Sequence, residues 1–84
     1  MTTTDIANLL HAVGVSAEIQ RVGTGDVVYA AKGDASVELS VYQQRVFVEF
    51  YRADLPEAED APTATFATID EATDAVRKWL GMPA

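Results

Sequence analysis

Four runs of alternating apolar residues fill residues 16–52, and only two or three turn residues separate each run from the next. They are "SAEIQRV" (16–22), "DVVYAAK" (26–32), "ASVELSVY" (35–42) and "RVFVEFYR" (45–52). A period of two is the signature of a half-buried strand. Connections this short admit only hairpins, since parallel strands need a crossover of a dozen residues or more. The breaks are "GTG", "GD" and "QQ". The first two carry residues that accept turn geometry, whereas "QQ" has no residue at home with positive φ.

The pairing can be tested against the pattern, because a one-residue slip sends every side chain to the opposite face. With Gly33-Asp34 and Gln43-Gln44 as two-residue loops, Val41 faces Val46, Leu39 faces Val48 and Val37 faces Phe50. One strand back, Leu39 faces Val28 and Val37 faces Ala30. Taking Thr24-Gly25 as the first loop sets Val22 opposite Val27 and Ile19 opposite Ala30. The inner apolar residues then share one face of a four-stranded antiparallel meander.

Helical spacing flanks this sheet on both sides. Ile6, Leu9, Leu10 and Val13 recur at helical intervals over 4–13, with Thr4 as cap, Asp5 in the first turn and Gly14 as the stop. Near the other end, "TIDEATDAVRKWLGMP" has a capping box from Thr68 and Glu71. Asp70 sits early and Arg77 and Lys78 late, as the helix dipole favours. Its apolar stripe is Ile69, Ala72, Val76, Trp79 and Leu80. Trp79 is expected to close the gap between this helix and the sheet. Between sheet and helix, residues 53–63 form an acidic, proline-containing loop, and "ATFA" suits a short extended segment.

The expected architecture is therefore α+β, one domain over 1–84. It is a two-layer sandwich of order α-β-β-β-β-α, with the N-terminal and C-terminal helices packed on one face of the sheet. This element order is similar to the frataxin-like arrangement, in which two terminal helices cover an antiparallel sheet. The resemblance is one of order alone and carries no site residues with it.

Covering one face leaves the other open. Its expected rows across the strands are Val22, Val27, Ser40 and Phe47; then Gln20, Tyr29, Glu38 and Glu49; then Glu18, Ala31, Ser36 and Tyr51. Tyr42 lies beyond the first row. Large rings on an uncovered face, around the like-charge pair Glu38 and Glu49, suit anchors and acceptors for a protein partner. The candidate partner-binding residues are Tyr29, Glu38, Tyr42, Phe47, Glu49 and Tyr51. Aromatic side chains also favour strands for their own sake. A second possibility uses the same face as the interface of a homodimer with a structural or chaperone-like role.

Other chemistry finds little footing. There is no cysteine and one histidine, so no thiol chemistry, zinc cluster or nucleophile–base triad can be assembled in one chain. His11 falls about 140° from Ile6 at ~100° per residue, on the outside of the first helix. Paired carboxylates can act as acid and base, but that requires a cleft. "GTGD" lacks the third glycine and the strand-then-helix setting of a nucleotide fingerprint, so it reads as a turn. No cofactor, metal or catalytic residue is expected; a small enzyme or metal carrier is the weakest alternative. Arg21 falls on the inner side of the first strand, which places that strand at an edge where the side chain can reach water.

The net charge of −7 opposes contact with nucleic-acid phosphates and anionic lipid, and favours a partner with a basic surface. Asp54, Glu57, Glu59 and Asp60 contribute a solvated acidic loop. "MTTTDIANLL" shows no basic region followed by a long apolar run, and no stretch approaches the ~20 apolar residues of a membrane span. The expected location is cytoplasmic. Two lysines against abundant Ala, Thr, Val and Asp point to a GC-rich bacterial or phage genome. The sequence thus describes a small acidic protein-interaction module, acting as adaptor, inhibitor or accessory subunit.

Overall fold

The computed structural model describes residues 2–23, 25–52 and 62–82. Helix α1 spans Thr3–Ala12 and opens with a complete capping box. Thr2 Oγ1 accepts from the Asp5 amide at 3.2 Å, and Asp5 Oδ2 accepts from the Thr2 amide at 3.0 Å. The cap is thus Thr2 and not Thr4. Thr2 has an acidic residue three places on and can satisfy two helix-end donors reciprocally. Helix α2 spans Ile69–Trp79, capped by Thr68, whose hydroxyl accepts from the Glu71 amide at 3.2 Å.

Both helices end in the same way. Gly14 and Gly81 take the left-handed conformation, with φ of 86° and 74°. Beyond them the Val15 amide donates to the Leu10 carbonyl and the Met82 amide to the Arg77 carbonyl, both at 2.9 Å. These are Schellman closures. They fold Val15, Leu80 and Met82 back onto the core.

Strands β1 (Ala17–Val22), β2 (Gly25–Lys32), β3 (Ala35–Tyr42), β4 (Arg45–Arg52) and β5 (Thr63–Phe66) form one antiparallel sheet in sequence order. The sheet has five strands where the alternation predicts four. β5 pairs Ala64 with Val48 and Phe66 with Val46, which turns both side chains inward onto the core. It also occupies backbone groups that would leave β4 a bare edge. The short extended segment expected at "ATFA" is this strand; four residues carry too few alternations to show that it pairs with β4.

The β2–β3 and β3–β4 registers agree with expectation, Val28 opposite Leu39 and Val37 opposite Phe50 included. The first hairpin differs by two residues. Ile19 lies opposite Val28, Gln20 opposite Val27 and Val22 opposite Gly25, so the loop is Gly23-Thr24. Gly23 takes φ 61°. This pairing puts Gly23, which accepts a positive φ without strain, at the first place of the connection. Because the shift is even, no side chain changes face.

α1 lies over β1, β2 and β3, α2 lies over β4 and β5, and the helices touch each other. Between the layers Ile6, Leu10, Val28, Val37, Leu39, Val46, Val48 and Val76 are fully buried. Each such side chain contributes about 1.5–3 kcal/mol relative to exposure. Arg21, on the inner side of edge strand β1, reaches water as expected and stands 3.6 Å from Asp26. Trp79 is half-buried and seals the end of the core: its ring packs on Phe50 at 5.3 Å, and its Nε1 donates to the Tyr51 carbonyl at 2.9 Å. Arg52 lies 4.4 Å over the same ring and donates to the Trp79 carbonyl at 3.1 Å.

Candidate binding face on the open side of the sheet

The six residues singled out in the sequence share the face that the helices leave open. Tyr29 comes from β2, Glu38 and Tyr42 from β3, and Phe47, Glu49 and Tyr51 from β4. Tyr42 is 69% exposed, whereas Tyr29, Phe47 and Tyr51 are half-buried among their neighbours.

The corrected first register changes the central row. It now reads Glu18, Tyr29, Glu38, Glu49 and Thr63, one residue from each strand. Glu18 replaces Gln20, so three carboxylates stand in line with Tyr29 between the first two. Beside it on this face Gln20 pairs with Val27, and Ser40, Phe47 and Thr65 stand in line across β3, β4 and β5. The central row thus gains Glu18, and the face gains the β5 threonines. The signal for Glu18 was available in the preference for Gly at the first place of a two-residue loop.

Glu38 sits directly opposite Glu49, where like charges on adjacent strands repel. Each carboxylate meets this differently. Glu49 Oε2 accepts from the Tyr51 hydroxyl at 2.8 Å, and Glu18 Oε1 accepts from Gln20 Nε2 at 3.1 Å. Glu38 has no hydrogen bond or salt bridge among the described residues. The Tyr51 phenol is pushed from 10.0 up to about 12, first by partial burial, then by its bond to Glu49 and by the negative fields of Glu49 and Glu38. Among the described residues no three acidic or histidine side chains are grouped to hold a metal ion.

At the other end of the face stands Arg45, opposite Tyr42 and exposed, a residue the sequence reading passed over. It makes no salt bridge among the described residues. Ser40, Tyr42, Gln43, Arg45, Phe47 and Thr65 line an open groove of about 510 Å³ beside it. The hairpin that presents this groove turns through Gln43 and Gln44, whose φ angles are 52° and 64°. Two non-glycine residues in the left-handed region are strained, at about 1–2 kcal/mol each. The tight I′ geometry prevails because the flanking pairs, Val41 with Val46 and Tyr42 with Arg45, hold the strands in register.

His11 projects from α1 and is exposed, with Nε2 2.8 Å from the Ala17 carbonyl. A carbonyl only accepts, so Nε2 carries the proton and ties the helix to the start of β1. "GTGD" spans the β1–β2 connection, and its Gly25 and Asp26 open β2. Asp54, Glu57, Glu59 and Asp60 lie outside the described residues. Among the described residues no helix is long and apolar enough to cross a membrane. Compared with protein families, with curated proteins and with solved structures, this chain matches none.

Proposed function

We propose that this chain is a small acidic cytoplasmic interaction protein without catalysis of its own, binding a protein partner through the open face of its sheet. One observation carries the reading. The covered face is a complete core, while the uncovered face holds four aromatic rings around an unneutralised Glu38–Glu49 pair. Aromatic anchors beside polar acceptors are the composition that protein interfaces favour at their centres. The like-charge pair costs stability in the isolated chain, and a cation from a partner would offset that cost. A partner with a basic surface also suits the chain's net charge of −7.

The test is affinity capture with the full chain as bait, in parallel with a Phe47→Ala/Tyr51→Ala variant shown to be folded by circular dichroism. Proteins retained by the wild type and lost by the variant are expected. Equal capture by both baits removes the open face as the binding surface.

A further inference from the structure

We propose that the occupant of this face is a second copy of the same chain, docked face to face so that Arg45 of each copy lies over the Glu38–Glu49 pair of the other. This rests on the open-face reading and specifies its partner. The argument is one of complementarity. Along β4 the face carries Arg45, then Phe47, then Glu49 with Glu38 beside it on β3. Arg45 and Glu49 are four residues apart, about 13 Å along the strand, and Phe47 lies midway.

A two-fold axis in the interface plane, crossing the strands at Phe47, reverses strand direction between the copies. Arg45 then falls over the partner's acidic pair, and the partner's Arg45 falls over the pair of the first copy. Phe47 meets its own counterpart on the axis. An isologous interface demands this self-complementarity, in which residue i meets j and j meets i.

The stoichiometry agrees. On this face each copy offers one guanidinium, Arg45, that makes no salt bridge among the described residues, and one carboxylate pair in which Glu38 accepts no hydrogen bond. A guanidinium has five donors and can serve two adjacent carboxylates, relieving the repulsion each copy otherwise bears. The same rotation carries the partner's Tyr51 towards the groove beside Tyr42 and Gln43, which has room for a ring. Glu18, on edge strand β1 and held by Gln20, remains at the wet rim.

Five strands about 4.8 Å apart and about seven residues long present roughly 550 Å² a side, or about 1,100 Å² for the pair. That is near the lower limit of specific interfaces, where weak and reversible association is common.

Sedimentation equilibrium of the full chain decides the matter, run from about 1 to 200 μM at low salt and again at about 0.5 M salt. The mass is expected to rise with concentration towards twice 9.0 kDa at one or both salts, since salt screens the repulsion between two chains of net charge −7 as well as the Arg45 pairs. Arg45→Glu and Glu38→Arg alone are each expected to weaken association roughly tenfold or more. Mixed in equal amounts they restore the dimer, since each then supplies the charge the other lacks. Circular dichroism confirms that each variant is folded, and Glu49→Arg replaces Glu38→Arg if the latter is not.

A wild type that stays monomeric throughout overturns the proposal. So does an Arg45→Glu variant that dimerises like the wild type, or a mixture that stays monomeric. A monomer that still captures partners through Phe47 and Tyr51 sinks the self-pairing and leaves the open-face reading intact; a monomer with no such capture sinks both.

Discussion

Tyr51 donates its hydroxyl proton to Glu49, two residues back on the same strand, at 2.8 Å. Residues i and i+2 of a strand share a face, so the bond runs along the open surface and gives Glu49 a partner that Glu38 lacks. It ties the titration of an aromatic ring to the state of the acidic pair.

Spectrophotometric titration of the three tyrosines reads this directly. Tyr51, identified by its loss in Tyr51→Phe, is expected to ionise at about 12. Glu49→Gln removes both the charged acceptor and the nearest negative field, and brings Tyr51 part of the way back towards 10.0, since the effect of burial remains. The folded-state value lies above the unfolded 10.0, so the contribution of Tyr51 to stability is complete below pH 10. It is lost as pH rises from about 10 to about 12. A Tyr51 value left unchanged by Glu49→Gln would show that the bond is absent in solution.

The Gln43-Gln44 turn predicts a gain. Replacing the pair by Asn-Gly, the residues most at ease with two positive φ angles, is expected to stabilise the fold by about 1 kcal/mol. In a domain this small, that raises the melting temperature by about 4–8 °C. An unchanged or lower melting temperature would mean the turn does not hold its left-handed geometry.

Thr73 is 4% exposed on α2, and its hydroxyl has no hydrogen-bond partner among the described residues. Thr73→Val keeps the shape and removes the orphaned group, for an expected gain of about 1 kcal/mol. Thr73→Ser keeps the hydroxyl and deletes a methyl, for an expected loss of about 0.8 kcal/mol. Urea midpoints that move in opposite directions confirm the assignment; a loss in both means the hydroxyl is satisfied.

Trp79 predicts a graded series. Trp79→Phe loses the donor to the Tyr51 carbonyl, at an expected cost of about 0.5–1.5 kcal/mol. Trp79→Ala also loses the contacts with Phe50 and Arg52, and about 3–5 kcal/mol is expected. Chemical unfolding with an unchanged denaturant slope is the measure. A near-zero cost for Trp79→Ala would remove the ring from the core seal.

The local and pairwise features of this fold are written in its sequence. The alternation and the two-residue spacings of "GD" and "QQ" determine the β2–β3–β4 register, because only one alignment puts Val28, Val37, Leu39, Val46 and Val48 on one face. The helical periods and glycine stops determine α1 and α2 to within a residue. Tertiary structure decided the rest. "GTG" offers two loops of the same face parity, and backbone sterics at Gly23 select the one that carries Glu18 into the acidic row. The extended segment at "ATFA" joins the sheet because β4 presents an edge and the core has places for Ala64 and Phe66, a pairing that four residues alone do not specify. Gln43 and Gln44 take a conformation their own preferences oppose, since many cross-strand contacts outweigh two strained residues. Arg45 gains meaning only where the sheet sets it on the same face as Glu38 and Glu49, a relation between strands that chain position alone does not express.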